Sequence, residues 1–185
     1  MRAREVFIQI ETGDRRLLSQ IGEAMAESAR RSGEWLVCRP GCTECCLGPF
    51  QITQLDARRL RAGLAALDAG DPPRAERVRT RAAQYRESDD APCPALDPQT
   101  GWCDLYGARP ITCRTFGPVT RTEDDSLAAC ELCYTGATEQ EMAACEVEID
   151  PEGIEGDLLT ALDAAGESGM TTVARALRSA SPKAI

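Results

Sequence analysis

Histidine is absent from this 185-residue chain, and that absence removes whole classes of chemistry. Neither a serine–histidine–aspartate triad nor a cysteine–histidine pair can form. The mixed cysteine/histidine sites common in zinc modules are excluded too. Aromatic residues are scarce, with two tryptophans, three tyrosines and three phenylalanines. The core must therefore come mainly from Leu, Ala, Val and Ile, a thin apolar supply that metal cross-links would supplement. Long apolar runs are also missing. No stretch approaches the roughly 20 residues needed to span a bilayer, and the first residues carry no secretory h-region or cleavage site. The expectation is a cytoplasmic protein with reduced thiols and no membrane partner. An excess of positive charge is lacking as well: the formal net charge is −9, whereas binding a phosphate backbone needs a basic face. No glycine-rich phosphate loop or dinucleotide fingerprint occurs, so no catalytic constellation is evident.

What the chain does have is ten cysteines. Cys38, Cys42, Cys45 and Cys46 form a tight knot, and Cys93, Cys103, Cys113, Cys130, Cys133 and Cys145 follow. Packing does not account for the knot, because cysteines used as small hydrophobes scatter along the core periodicity. In a reducing compartment so many thiols point to metal or redox chemistry, not to a disulfide frame. Without imidazole, the ligands are thiolates with at most a carboxylate, which suits zinc, iron–sulfur clusters or Cu(I). Cys42–Cys45 and Cys130–Cys133 are C-x-x-C units, each able to place two sulfurs on one ion. Together they would satisfy a four-cysteine zinc site, although their separation far exceeds the roughly 15–20 residues of a compact ribbon. Adjacent Cys45 and Cys46 are expected to serve different metals, or different irons of one cluster. Cys145, at helical spacing from Met142, reads as a buried or free thiol.

The remaining sequence reads as helices around an irregular, cysteine-rich middle. Asp14 N-caps an expected helix over 15–31 carrying Leu17, Leu18, Ile21 and Met25. Thr53 with Asp56 opens a helix to about Leu67, and Asp71-Pro72-Pro73 opens an arginine-rich helix to about Arg86. Between 57 and 86, Arg58, Arg59, Arg61, Arg74, Arg77, Arg79, Arg81 and Arg86 face only Asp68, Asp71 and Glu76. A solvated face is the simplest account; arginines that offset a thiolate cluster are another. From Ser88 to Thr135 prolines and glycines leave no room for long helices, and the flanks of Asp97–Gly101 suit a short hairpin. A loop-rich stretch with many thiols fits metal-organised structure. Thr138 with Glu141 caps a short helix, and Asp150-Pro151 opens a helical tail that breaks near Gly166–Gly169 and resumes at Thr171.

The spacing of Cys38, Cys42 and Cys45 resembles the CxxxCxxC motif of radical S-adenosylmethionine enzymes. Glu44, however, stands where those enzymes carry an aromatic residue, and no alternating βα barrel follows. A wider resemblance runs through Cys38–Cys46 with Gly48-Pro49-Phe50, then Cys93-Pro94-Ala95-Leu96, Gly101-Trp102-Cys103-Asp104-Leu105-Tyr106 and Arg109-Pro110-Ile111-Thr112-Cys113-Arg114. These blocks, in this order, resemble the YkgJ-type cysteine-cluster proteins, the CxxCxxCC family, regarded as a zinc- or iron-chelating domain. The gap after Cys38 is three residues in place of two. The resemblance implies metal chelation by Cys38, Cys42, Cys45, Cys46, Cys93, Cys103 and Cys113, while Cys130 and Cys133 join on spacing alone. Arg109 and Arg114 are expected to support the thiolates. Trp102 and Tyr106 read as packing residues, and Glu44 and Asp104 as solvated acids.

The expected architecture is mainly α with irregular loops, a small helical domain organised around a cysteine-rich metal core, with room for a short β-hairpin. Residues 1–150 would form the metal-binding domain, and 151–185 a helical extension packed on it. The expected function is chelation of zinc or an iron–sulfur cluster. The alternative is a component of an iron–sulfur redox or protein-modification enzyme.

Overall fold

Ile10, Leu17 and Ile21 lie on one face of α1 (Ala3–Ser32) and are almost wholly buried. This stripe explains why the helix starts well before Asp14, where the sequence suggested a cap. Gly13-Asp14 has the composition of a break, but burial of Ile10 on the same face carries the helix through it. The computed structural model describes residues 3–39, 41–122 and 124–179. It divides into two compact units. The first is Met1–Arg39 with Thr112–Ala165, and the second is Pro40–Ile111 with Gly166–Ile185. The segment 151–185 is thus shared between them.

In the first unit α1 packs against α5 (Glu139–Cys145) and α6 (Ile154–Ala164). Gly13 makes the α6 approach possible, since a Cβ there would lie 2.7 Å from Leu158 Cδ2. Thr138 and Glu141 form the expected reciprocal cap on α5. The Asp150 carboxylate accepts from the Ile154 and Glu155 N–H groups (2.9 and 2.8 Å), satisfying the open end of α6. The short helix α4 (Ile111–Thr115) begins at the boundary of the units. Strands β2 (Thr120–Arg121) and β3 (Leu127–Ala128) then pair antiparallel, with Thr120 opposite Ala128. A small core of Val119, Cys133, Tyr134 and Cys145 gathers Trp35, Leu36, Leu127 and Met142 around it. Cys145 is buried there, beside Met142, as its spacing suggested.

The second unit is built on α2 (Gln54–Gly70), α3 (Pro72–Gln84) and α7 (Val173–Arg178). Thr53, Asp71 and Thr172 each accept a backbone N–H at the start of these helices. The signals read at Thr53 and Asp71 hold, whereas the helix expected to resume at Thr171 begins at Val173, after a strand. Strands β1 (Gln51–Thr53) and β4 (Met170–Thr172) pair antiparallel and enter α2 and α7. Ile52, Leu60, Leu64, Val78, Leu105 and Leu177 fill the core, with Cys93 and Cys103 packed against its edge. The turn at Asp97–Gly101 forms, with Gly101 N–H donating to Asp97 O (2.9 Å). Its flanks pair through Asp97 N–H to Trp102 O (2.8 Å), Asp104 N–H to Ala95 O (2.7 Å) and the Leu96–Cys103 bridge, as the short hairpin expected there. Among the described residues no helix is long and apolar enough to cross a membrane.

Gly63 sets how closely the 106–108 turn lies on α2, because a Cβ there would stand 2.3 Å from Ala108 Cβ. Gly63→Ala gains about 1 kcal/mol of helix propensity. It meets an overpacking penalty of about 1–3 kcal/mol, since a methyl cannot rotate away. Net destabilisation in urea unfolding is the expected outcome.

Candidate metal centre

In the second unit two thiol-bearing loops are joined through their backbones. A 3-10 turn over Glu44–Cys46 is closed by Cys46 N–H donating to Thr43 O (2.8 Å). The chain then runs beside 91–93. Gly48 N–H donates to Ala91 O (2.9 Å), Leu47 bridges Pro92, and Cys93 N–H donates to Cys46 O (2.7 Å). Gly48, at φ 98°, supplies the left-handed turn that ends this pairing. Cys103 comes beside Cys93 through the Leu96–Cys103 bridge and the Asp104 N–H to Ala95 O bond (2.7 Å). Thr43, next to Cys42, lies against the turn at Gly101. The structure thus brings Cys45, Cys46, Cys93 and Cys103 together, with Cys42 at the entrance of the same loop.

Arginines of α3 hold this arrangement. Asp104 is not the solvated acid suggested by the sequence: its side chain has 0% exposure, and Arg74 and Arg81 both pair with it. Arg81 also donates from Nε to Pro94 O (2.8 Å). One guanidinium therefore pins both the Cys93 and the Cys103 segments to the helix. Arg59 pairs with buried Asp56, whose carboxylate accepts the Ile111 N–H (2.9 Å) at the start of α4. The simple reading of these arginines as a solvated face fails for Arg59, Arg74 and Arg81. Short acids bridging helix and loop are invisible to a local pattern, and only the adjacency of Asp104 to Cys103 hinted at this one.

The thiols feel one another and the arginines. Cys46 donates its proton to Cys45, which pulls the Cys45 thiol down to about 6, against burial and with help from Arg109. Cys46 moves the other way. Its hydrogen bond to Cys45, its burial and the neighbouring Cys45, Cys93 and Cys103 charges all oppose its ionisation. Burial pushes Cys93 up to about 11, against Arg81 and the N–H groups of Ala95 and Leu96. Burial also raises Cys103, while Arg109 and Arg74 oppose that shift. Arg81 at Cys93, and Arg109 and Arg74 at Cys103, therefore favour ionised sulfur. Arg109 is held over the Tyr106 ring, 3.5 Å from its centroid. Trp102 and Tyr106 are each 49% exposed, so they are not core packing. Cys103, next to Trp102, packs against the edge of the core instead.

The remaining thiols lie in the first unit. Cys113 is on α4, with Arg114 in the last turn of that helix. Cys38 is exposed, and Cys130, Cys133 and Cys145 lie in the 130–145 segment. Cys133 is raised by burial, opposed by the N–H groups of Cys38 and Val37 directed at its sulfur. All ten cysteines are free of disulfides. Among the described residues no group of three or more thiols and carboxylates is already arranged around an ion position. The sulfurs approach as interacting pairs on converging backbones. As a donor set they fit a thiophilic metal: soft ligands, no imidazole, and a crowd of sulfurs whose ionisation a cation would favour.

Residues 37–145 match the CxxCxxCC family, described as a putative zinc- or iron-chelating domain. The match covers more than half of the chain, and the protein belongs to that family. No curated protein and no solved structure matches it.

Two outcomes follow from this geometry. In reduced, metal-free protein near pH 7, iodoacetamide should label Cys45 ahead of Cys93. Cys45 labelling should slow as pH falls through about 6, where its thiolate takes a proton. Peptide mapping reads both. Asp104→Asn should lower stability by about 2–3 kcal/mol in urea unfolding. That is below the cost of a fully buried broken pair, because Arg74 and Arg81 keep some solvent.

Proposed function

We propose that this protein is a metal chelator that binds zinc or an iron–sulfur cluster through the thiolates of Cys42, Cys45, Cys46, Cys93 and Cys103. Cys38, Cys113, Cys130 and Cys133 are the further candidate ligands of the chain. The observation that carries this reading is the Cys46–Cys93 backbone pairing. It brings the cysteine knot and the proline-rich thiol loop together, although they are far apart in sequence. Arg74, Arg81 and Arg109 would hold and neutralise the ligands, and Asp104 would fix two of those arginines in place. A bound ion would cross-link loops that have little apolar core of their own. For structural zinc such binding is worth on the order of 10 kcal/mol.

Anaerobic purification followed by elemental analysis for iron, zinc, copper and acid-labile sulfide tests the proposal. Zinc or iron is expected, with sulfide in step with iron if the centre is a cluster. A chelator should then increase hydrogen exchange over 88–111, and Cys93→Ser with Cys103→Ser should remove the metal. A chain that binds neither metal, and whose exchange is indifferent to chelator, would overturn the reading.

A further inference from the structure

The first unit carries its own convergence of thiols. Cys133 N–H donates to Cys130 O (2.8 Å), closing a tight turn over the C-x-x-C segment, and Cys130 and Cys133 interact through their side chains. Tyr134 follows immediately at φ 57°, a left-handed conformation that a bulky residue adopts only when its surroundings impose it. Here two contacts impose it. Tyr134 N–H donates to Trp35 O (2.9 Å), and its hydroxyl bonds the buried Ser32 hydroxyl (2.5 Å). The turn is thereby fastened to the segment that leads into Cys38.

Cys38 is drawn to the same place. The backbone N–H groups of Val37 and Cys38 are directed at the Cys133 sulfur. Cys130 N–H donates to the carbonyl oxygen of Gly117 (3.3 Å), which stands at φ 118°. A Cβ on Gly117 would lie 3.4 Å from Cys38 Cβ and 3.5 Å from Cys38 Sγ. One glycine therefore abuts Cys38 and anchors Cys130, while Cys133 accepts from Cys38. Two sulfurs from one turn and a third from a neighbouring segment supply the donors, and N–H groups aimed at sulfur are the outer support that orients thiolate ligands.

We propose that Cys38, Cys130 and Cys133 form a second thiolate centre, internal to the first unit, that binds one thiophilic divalent cation of the zinc type, with a fourth position open to water or an exogenous thiol. The inference rests on the metal-chelating reading above but uses different residues, so the two can fail separately. The test is anaerobic titration of the reduced full chain with cobalt(II), following sulfur-to-cobalt charge-transfer absorption. Two equivalents are expected for the unsubstituted protein. One should remain in Cys130→Ser/Cys133→Ser and one in Cys93→Ser/Cys103→Ser. Because Cys133 is buried, Cys38→Ser provides a control at an exposed thiol. It should weaken only the equivalent lost in the 130/133 variant, with circular dichroism unchanged.

A full complement of cobalt in the 130/133 variant overturns the second centre and leaves the first reading standing. A single equivalent that survives loss of Cys93 and Cys103 but not of Cys130 and Cys133 supports the second centre and overturns the first reading. Loss of all cobalt in Cys93→Ser/Cys103→Ser, loss of both equivalents of a two-equivalent chain in Cys130→Ser/Cys133→Ser, or no uptake by the unsubstituted chain, overturns the second centre.

Discussion

Crowding of sulfur is the constraint that the second unit is built to meet. Burial opposes the ionisation of Cys93 and Cys103, and neighbouring sulfurs oppose that of Cys46 and add to the shift of Cys93. The unit answers with cations on fixed supports. Arg74 and Arg81 project from α3, a helix whose apolar stripe of Ala75, Val78 and Ala82 is buried. Asp104, without solvent exposure, holds both guanidiniums beside the thiols. Two guanidiniums to one carboxylate leave net positive charge where the sulfurs need it. The same contacts give the loop its shape, because Arg81 also binds the Pro94 carbonyl. Electrostatic support and loop positioning are here one device.

That device also explains how a chain so poor in aromatics holds a long irregular segment. The 85–111 stretch has only a single short 3-10 turn at Tyr106–Ala108, and Leu105 is one of its few core residues. Its order comes from backbone pairing with 46–48, from arginine contacts, and from the close seat of Ala108 on Gly63. Each is modest alone, and hydrogen bonds contribute about 1 kcal/mol net. Cross-linking by a metal would add to a framework already directed toward it.

Local signals were legible wherever the chemistry was local. Thr53, Asp71 and Thr138 cap helices as the sequence indicates, because a cap is decided within four or five residues, whereas the helix expected from Asp150-Pro151 begins only at Ile154. The block order that identified the family was legible for the same reason. Asp14 misled, since the cap signal there is outweighed by burial of Ile10 further back on the helix. The role of Asp104 was barely legible, because its partners lie 23 and 30 residues away and only its adjacency to Cys103 hinted at it. The knot itself looked like a single motif. Instead the boundary between the units falls inside it, after Arg39, so that Cys38 and Cys42–Cys46 belong to different units despite their proximity in sequence.

The lack of histidine gives these arrangements a common logic. Imidazole binds metal as a neutral ligand, whereas every thiolate brings a negative charge, so a divalent ion held by four thiolates remains net negative. A protein limited to sulfur must therefore supply compensating charge or N–H donors around the ligands. The second unit does so with Arg74, Arg81 and Arg109, and with backbone N–H groups directed at Cys93 and Cys103. In the first unit, N–H groups of Val37 and Cys38 reach the Cys133 sulfur. Such donors stabilise thiolate without adding a competing ligand. They would also stay in place when an ion leaves, which would make the proposed ligand framework partly independent of its metal.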